Sequence, residues 1–391
     1  MATPITCIGD LQAMARRRVP GIFYDYVDSG SWSESTYRAN GEDLAGLRFR
    51  QRVGRNVADI QVGTTLLGLP AAMPVGLAPA GLTGMLHPDG EILAARAAAR
   101  AGVPYVLSTV SICSIEDLVQ HDVGPFWFQL YVMKDRDFIE RLIERARAAR
   151  CSALVLTMDL PIQGQRHKDI RNGLSVPPRI DLRNLSRLLS RPRWCAGMLG
   201  TPRRTFGNIV GHAQGVSGTL GFSEWVGHQF DRTVSWDDVR WLKKQWGGRL
   251  VVKGILDPDD ARRAVDAGAD ALIVSNHGGR QLDGASSSIR ELPAVVRAVG
   301  DHAEIYFDGG VRSGQDVLRA LALGARAAFI GRAYLYGLGA QGEAGVTRCL
   351  DILRRELEAT MALCGLARIA DASPAAILNP YSASMTQGDP V

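Results

Sequence analysis

Eight short runs rich in β-branched and aromatic residues recur between residues 73 and 332, separated by amphipathic stretches. They are MPVGLAP (73–79), YVLST (105–109), FWFQLYV (126–132), ALVLTMD (153–159), LVVKGI (250–255), ALIVSN (271–276), EIYFDGG (304–310) and AAFIGR (327–332). Helical patterns such as DGEILAARAAARA, FIERLIERARAA, PDDARRAVDAG and GQDVLRALALGA fall between them, several ending in glycine as a helix C-terminus does. Repeated strand–helix units imply a parallel sheet, because parallel neighbours need a crossover helix. Eight units fit an α/β fold of the closed (β/α)8 TIM barrel type better than an open doubly wound sheet. The first βα turn, APAGLTG, is also not the GxGxxG of a dinucleotide fold.

The 391 residues, 46% of them hydrophobic, can bury a core of that size. One domain over 1–391 is expected: an N-terminal helical segment over 1–50, a barrel over 73–365, and an insertion over 160–235 after the fourth strand, too long for an ordinary βα loop. VTRCLDILRRELEATMALCG predicts a helix that closes the barrel, and the last dozen residues read as frayed chain. No apolar stretch approaches a membrane span, and MATPITCIGDLQAMARRR lacks a signal-peptide core, so a cytoplasmic location is expected. The six cysteines are scattered without a CxxC pair, which argues against a disulfide framework and a structural zinc site; no metal is expected.

In a barrel of this kind the C-terminal strand ends carry the active site. Those ends hold Pro79, Ala80 and Gly81; Ser108 and Thr109; Gln129 and Tyr131; Thr157 and Asp159; Lys253; Ser275 to Arg280; Asp308 to Arg312; and Gly331 with Arg332. Burying so many polar groups around one mouth needs partners for them, and a ligand supplies partners. DGGVRSG and IGR combine consecutive glycines, a helix starting near Ser313, Arg312 and Arg332, which together suit a phosphate. Lys253 is placed to face negative charge developing on a bound ring or substrate. Arg166 and Arg280 are the carboxylate binders, since a guanidinium fork matches two carboxylate oxygens. His277 is the natural base near neutrality, with Asp159 to hold one ring nitrogen. Taken singly, each also fits a structural ion pair or a turn; together they describe proton removal from an anionic substrate.

With SNHGGRQLD at 275–283 as hallmark, the chain resembles the FMN-dependent 2-hydroxy acid oxidases and dehydrogenases from about residue 10 to residue 365. The likeness also runs through YDY at 24–26, LAPAG at 77–81, LSTVS at 107–111, WFQLYV at 127–132, the stretch from Thr157 to Arg166, VKGI at 252–255, DGGVR at 308–312 and IGR at 330–332. It implies that Pro79, Ala80, Gly81, Ser108, Gln129, Thr157, Lys253 and Ser275 contact the flavin and its ribityl chain. It further implies that Asp308, Gly309, Gly310, Arg312, Gly331 and Arg332 cradle the ribityl phosphate. Tyr26, Tyr131, Arg166 and Arg280 would bind substrate, with Tyr131, Lys253 and Asp159 assisting His277 as proton acceptor. The reaction implied is oxidation of an (S)-2-hydroxy acid to a 2-keto acid, and a homotetramer is the implied assembly.

Within that family LSTVSICSIEDL, WFQLYVMKDR and VKGILDPDDA are most similar to bacterial quinone-linked L-lactate dehydrogenases, with mandelate dehydrogenases next. Gly81, where the oxidase branch has alanine, leans toward quinone rather than oxygen as acceptor, while Gln163 departs from the small or apolar residue expected of a lactate enzyme. An oxygen-using oxidase that releases hydrogen peroxide is the alternative. A type 2 isopentenyl diphosphate isomerase shares the FMN barrel but needs no His277, Arg166 and Arg280.

From Leu160 to Val210 ten Arg or Lys stand against Asp169 and Asp181, while the remainder of the chain carries 35 basic and 38 acidic residues. The apolar residues among these arginines suit an anionic membrane surface, expected to be met through residues 180–205, or an active-site lid. No nucleic-acid motif accompanies the charge.

Overall fold

The computed structural model describes residues 4–174, 182–212 and 231–379. Strands β1 (Thr64–Leu66) and β2 (Leu69–Ala71) form an antiparallel hairpin. Strands β3 (Val75–Leu77), β4 (Val106–Ser108), β5 (Trp127–Tyr131), β6 (Ala153–Thr157), β7 (Leu250–Ile255), β8 (Ala271–Val274), β9 (Glu304–Asp308) and β10 (Ala327–Ile330) form one parallel sheet in the order β3-β10-β9-β8-β7-β6-β5-β4. The ring closes where the Leu77 N–H donates to the Pro104 carbonyl at 2.9 Å and Leu77 bridges Tyr105 in parallel. All eight expected strands are present, and the fold is a (β/α)8 TIM barrel.

The strands are shorter than the apolar runs that announce them. Asp159, Asn276, Gly309, Gly310 and Gly331 continue those runs in sequence but have left the ladder. Their main chain turns there, which is where the polar groups gather.

Trp127, Tyr306 and Phe329 fill the barrel interior, ring centroids 5.4 to 6.0 Å apart, with Ala153, Ala271 and Ala327 supplying the small partners that let them interdigitate. Gly76 completes this packing, because a Cβ there would lie 2.4 Å from the Phe329 ring. Gly76→Ala is therefore expected to cost ~1–3 kcal/mol by overpacking, read as a lowered Tm with FMN affinity little changed.

The β1–β2 hairpin, which the sequence reading did not anticipate, plugs the N-terminal mouth. Its Leu66, Leu67 and Ala71 join the interior cluster, the Leu67 N–H donates to the Glu304 carboxylate at 3.1 Å, and Arg326 donates to the Thr65 carbonyl at 3.1 Å. Three-residue strands are too short to show a period, so no pattern announces them.

Helices Ile8–Arg18, Gly21–Asp28 and Ser35–Gly46 make up the N-terminal helical segment, and helix Glu343–Leu363 packs on the barrel as expected. The link between the second and third helices is tied to the turn after β8. Asp283 accepts from the Ser33 N–H at 2.8 Å, the Ser35 hydroxyl at 2.7 Å and the Thr36 N–H at 3.1 Å. The frayed C-terminal dozen expected from sequence lies outside the described residues.

Candidate active site

The turn after β8 is built from backbone that few residues tolerate. His277, Gly278 and Gly279 follow one another at φ 58°, 63° and 72°. A Cβ on Gly279 would meet the Tyr37 backbone at 2.5 Å, and one on Gly278 the Arg332 guanidinium at 2.9 Å, so both glycines are required. His277 pays a left-handed strain that glycine would not, and such strain persists only where surroundings over-determine it. Asn276 supplies part of that constraint: its carboxamide exchanges hydrogen bonds with buried Asn40 at 2.8 and 2.9 Å and accepts from the Gly279 N–H at 3.1 Å. The Ser275 hydroxyl accepts from the His277 N–H at 3.0 Å. Neither asparagine was singled out from sequence, since amides carry no pattern beyond their polarity.

This turn brings the His277 Nδ1 to 2.8 Å from the Asp159 carboxylate. Burial, aided by Lys253 and Arg166, pushes the imidazole below its ordinary value of 6.5, against the pull of Asp159. Although burial opposes it, the Asp159 carboxyl is held below its usual range by His277 and Lys253. A neutral imidazole beside an ionised carboxylate follows, with Nδ1–H donating and Nε2 left as the basic atom.

Lys253 lies beneath them, 4% exposed, donating to the Ser275 hydroxyl at 2.9 Å, with the Asp308 carboxylate at 3.3 Å and that of Asp159 at 4.0 Å. Two carboxylates offset the burial that would otherwise discharge the ammonium, and its affinity for the proton is raised. The β-bulge after Lys253 is what admits Asp159: Gly254 has φ 102°, and a Cβ there would touch the Asp159 side chain at 2.6 Å.

Arg166 and Arg280 flank the Tyr26 ring, their guanidinium carbons 5.7 and 4.7 Å from its centroid. Arg280 Nη1 is held by the carbonyls of Tyr26 at 2.6 Å and Ser29 at 2.9 Å. Burial and the neighbouring Arg166 lower Arg280 to about 10, the sign of a cation still short of anionic company. Buried Arg166 meets Asp169 at 3.4 Å through Nη1, while its Nε has no partner. Tyr131 ends β5 beside them, and burial with the nearby Asp159 charge pushes its phenol well above the ordinary value. The expected base, its carboxylate and the two guanidiniums expected to bind a carboxylate thus converge on one mouth.

Residues 15–379 match the model of the FMN-dependent dehydrogenases. The chain belongs to that family. It is 48% identical over 363 residues to the L-lactate dehydrogenase of Caulobacter vibrioides strain NA1000 / CB15N, covering 92% of this chain and 94% of that protein. Against the L-lactate dehydrogenase of Stenotrophomonas maltophilia strain R551-3 the identity is 45% over 377 residues, 96% of this chain and 99% of the relative. Among solved structures, the monotopic membrane protein (S)-mandelate dehydrogenase superposes with a TM-score of 0.92 at 35% identity, covering 96% of this chain and 100% of that one.

The residues present fit the FMN on which an FMN-dependent dehydrogenase relies. Gln129 Oε1 accepts from the Ser108 hydroxyl at 3.0 Å and the Thr109 N–H at 3.4 Å, which turns its amide Nε2 outward without a partner. Thr157 Oγ1 and Asp308 Oδ1 are likewise buried and unpartnered. Such orphaned groups are costly unless a ligand satisfies them. Pro79 and Ala80 precede Gly81, where a Cβ would press Val110 at 2.8 Å and the Tyr26 hydroxyl at 3.3 Å. At the other end Gly309 and Gly310 turn at φ 110° and 85° beside half-buried Arg312, and a Cβ on Gly331 would meet no atom within 4 Å.

Three of the groups expected at the phosphate also have partners within the protein. The Arg332 side chain, expected in the phosphate cradle, donates to the carbonyls of Val27, Gly278 and Ser29 at 2.7 to 2.9 Å, which ties the His277 turn to the Tyr26 helix. Asp308 stands with Lys253, and Arg312 with the Val311 carbonyl and the Tyr336 ring. At the start of the helix after Ser313, the Gly314 N–H donates to Glu356 at 2.8 Å and the Asp316 N–H to Ser313 Oγ at 3.1 Å. Caps of this kind consume the donors an anion would use.

The insertion is partly fastened down. Trp194 packs on Phe23, centroids 5.5 Å apart, and donates to the Met85 carbonyl; Arg203 bridges Asp89 and Asp117 at 3.1 and 2.6 Å. Fully buried Asn208 donates to the Ser108 carbonyl at 3.3 Å and the Ser111 hydroxyl at 3.0 Å, and accepts from the Ile115 N–H at 3.0 Å. Arg203 and Trp194, counted among residues suited to a membrane, are thus engaged within the protein. Leu189 and Leu199 remain exposed, at 65% and 74%.

Proposed function

We propose that the chain oxidises an (S)-2-hydroxy acid of the L-lactate type to the 2-keto acid, using FMN and then a quinone-type acceptor. The observation that carries this reading is the His277–Asp159 pair set between Lys253 and the Arg166–Arg280 guanidiniums. The likeness to L-lactate dehydrogenases and to (S)-mandelate dehydrogenase supports it.

Arg280 and the unpartnered Nε of Arg166 bind the substrate carboxylate, and Tyr26 and Tyr131 orient the acid. His277 Nε2 accepts the proton, and Asp159 stabilises the imidazolium that results. Lys253 holds its positive charge under the site throughout, which favours negative charge arriving above it. Gln129, Thr157, Ser108 and Lys253 would hold FMN at its ring end and Gly309, Gly310, Arg312 and Gly331 at its phosphate, and FMN so bound would supply the two-electron acceptor for the oxidation.

Gly81, where the oxidase branch of the family has alanine, supports the dehydrogenase form of the reading over the oxygen-using one. Exposed Leu189 and Leu199, with Arg191 and Arg193 between them, support a peripheral contact with an anionic membrane where quinone resides. Among the described residues no helix is long and apolar enough to cross a membrane. A homotetramer is proposed on the family resemblance.

The deciding experiment is anaerobic bleaching of the purified yellow protein by lactate, glycolate, mandelate and longer 2-hydroxy acids, followed by reoxidation with oxygen or a soluble quinone. Bleaching by lactate and faster reoxidation by quinone are expected. A colourless protein, or one no 2-hydroxy acid bleaches, overturns the reading. Co-sedimentation with anionic vesicles that fails at low salt overturns the membrane contact alone.

A further inference from the structure

Directly after Arg280 comes a buried amide, Gln281, 7% exposed, whose partners all lie on the chain that follows β6. Its Nε2 donates to the main-chain carbonyls of Asp159 at 2.9 Å and Ile162 at 3.0 Å, and its Oε1 accepts from the Gly164 N–H at 3.2 Å. Both N–H bonds of the carboxamide and its oxygen are thereby used on one segment. Residues 158–166 form neither helix nor strand, so that segment has no ladder of its own to fix its course. Asp159 stands near its start and Arg166 at its end. Gly164 lets it lie close against the turn after β8, because a Cβ there would meet the Arg280 carbonyl at 2.7 Å and the Gln281 carbonyl at 2.9 Å.

We propose that Gln281 is a positioning residue that sets Asp159 against His277 and Arg166 beside Arg280. The inference rests on the 2-hydroxy acid reading given above and adds to it what keeps the two working pairs in register. Each pair joins a side chain from the turn after β8 to one from the segment after β6: His277 Nδ1 lies 2.8 Å from Asp159, and Arg166 and Arg280 share the Tyr26 ring. In the sheet β7 stands between β6 and β8, so no strand pairing holds these two strand ends together. Gln281 bridges them over the end of β7. It touches no reacting atom and acts through the segment it fastens, as a supporting hydrogen bond behind a working group does.

Gln281→Met keeps much of the side-chain bulk and removes the donors and the acceptor. On protein that retains FMN, the limiting rate of bleaching by lactate is expected to fall roughly 10²-fold, the cost of a small misplacement of working groups. Oxalate, followed through the change in flavin absorbance, is expected to bind about tenfold more weakly as Arg166 leaves its place. The pH profile separates this role from a merely structural one. Asp159 raises the proton affinity of His277, while Lys253 and, more weakly, Arg166 lower it, so loosening the segment moves the acid limb of the bleaching rate to lower pH. Gly164→Ala, whose methyl would press the same segment off the same turn, is expected to shift the limb in the same direction. If either variant, loaded with FMN, bleaches at the wild-type rate with its acid limb in place, the proposal is overturned, whatever its Tm. Failure of every 2-hydroxy acid to bleach the wild type would instead count against the substrate reading, and the oxalate constants of the variants would then decide the placing of Arg166 on their own.

Discussion

His277→Gln protein is expected to purify yellow and to bleach with lactate roughly 10²–10⁴-fold more slowly than wild type, the range typical for loss of a positioned base. Glutamine fills much the same space and can still meet Asp159 across the 2.8 Å gap that Nδ1 spans, but it has no basic atom where Nε2 stands. The wild-type pH profile adds a second check. Because burial depresses His277 below 6.5, the neutral, proton-accepting form already prevails at neutral pH. The bleaching rate should therefore be level through neutrality and fall only on the acid side of 6.5, as the imidazole gains its proton. Stopped-flow bleaching between acid and neutral pH shows this directly. An acid limb that survives unchanged in His277→Gln, or near-normal rates in that variant, would remove the imidazole from the proton-accepting role.

The second large effect is expected at Lys253. Its ammonium is the buried positive charge between the carboxylates of Asp308 at 3.3 Å and Asp159 at 4.0 Å. Lys253→Met removes the charge while keeping much of the volume, and two costs follow. The bleaching rate should fall ~10²–10³-fold, as when one preorganised electrostatic group is lost. Without the Lys253 charge, which helps to hold His277 down, the imidazole should gain its proton at higher pH, so the acid limb moves upward. Flavin reduction followed across pH measures both. A variant with wild-type rates and an unmoved limb would show that Lys253 only stabilises the fold.

Much of the architecture was legible in sequence because barrel strands are continuous apolar runs and their helices are amphipathic, two periods hard to confuse. The site was legible for a related reason: charged residues such as Lys253 and Asp308 sit directly at the ends of those runs, where burial makes their presence expensive. What stayed hidden depends on three-dimensional neighbours. The bonds of Arg332 were not legible, because the carbonyls it meets belong to residues 27, 29 and 278, distant in the chain. Asp169 and Asn208 were not singled out, because each lies in an insertion with no helical or strand period to set its face. The β1–β2 hairpin was missed because its residues pack inward only once the barrel exists to receive them.

That hairpin governs traffic. With one end of the tube stoppered and its bore filled by Trp127, Tyr306 and Phe329, the described residues leave reactants the rim where His277 and Arg280 stand. The keto acid must vacate before an oxidant can approach from the same side, so turnover is obliged to alternate. Parallel double-reciprocal plots, rather than intersecting ones, are the kinetic signature of that enforced queue.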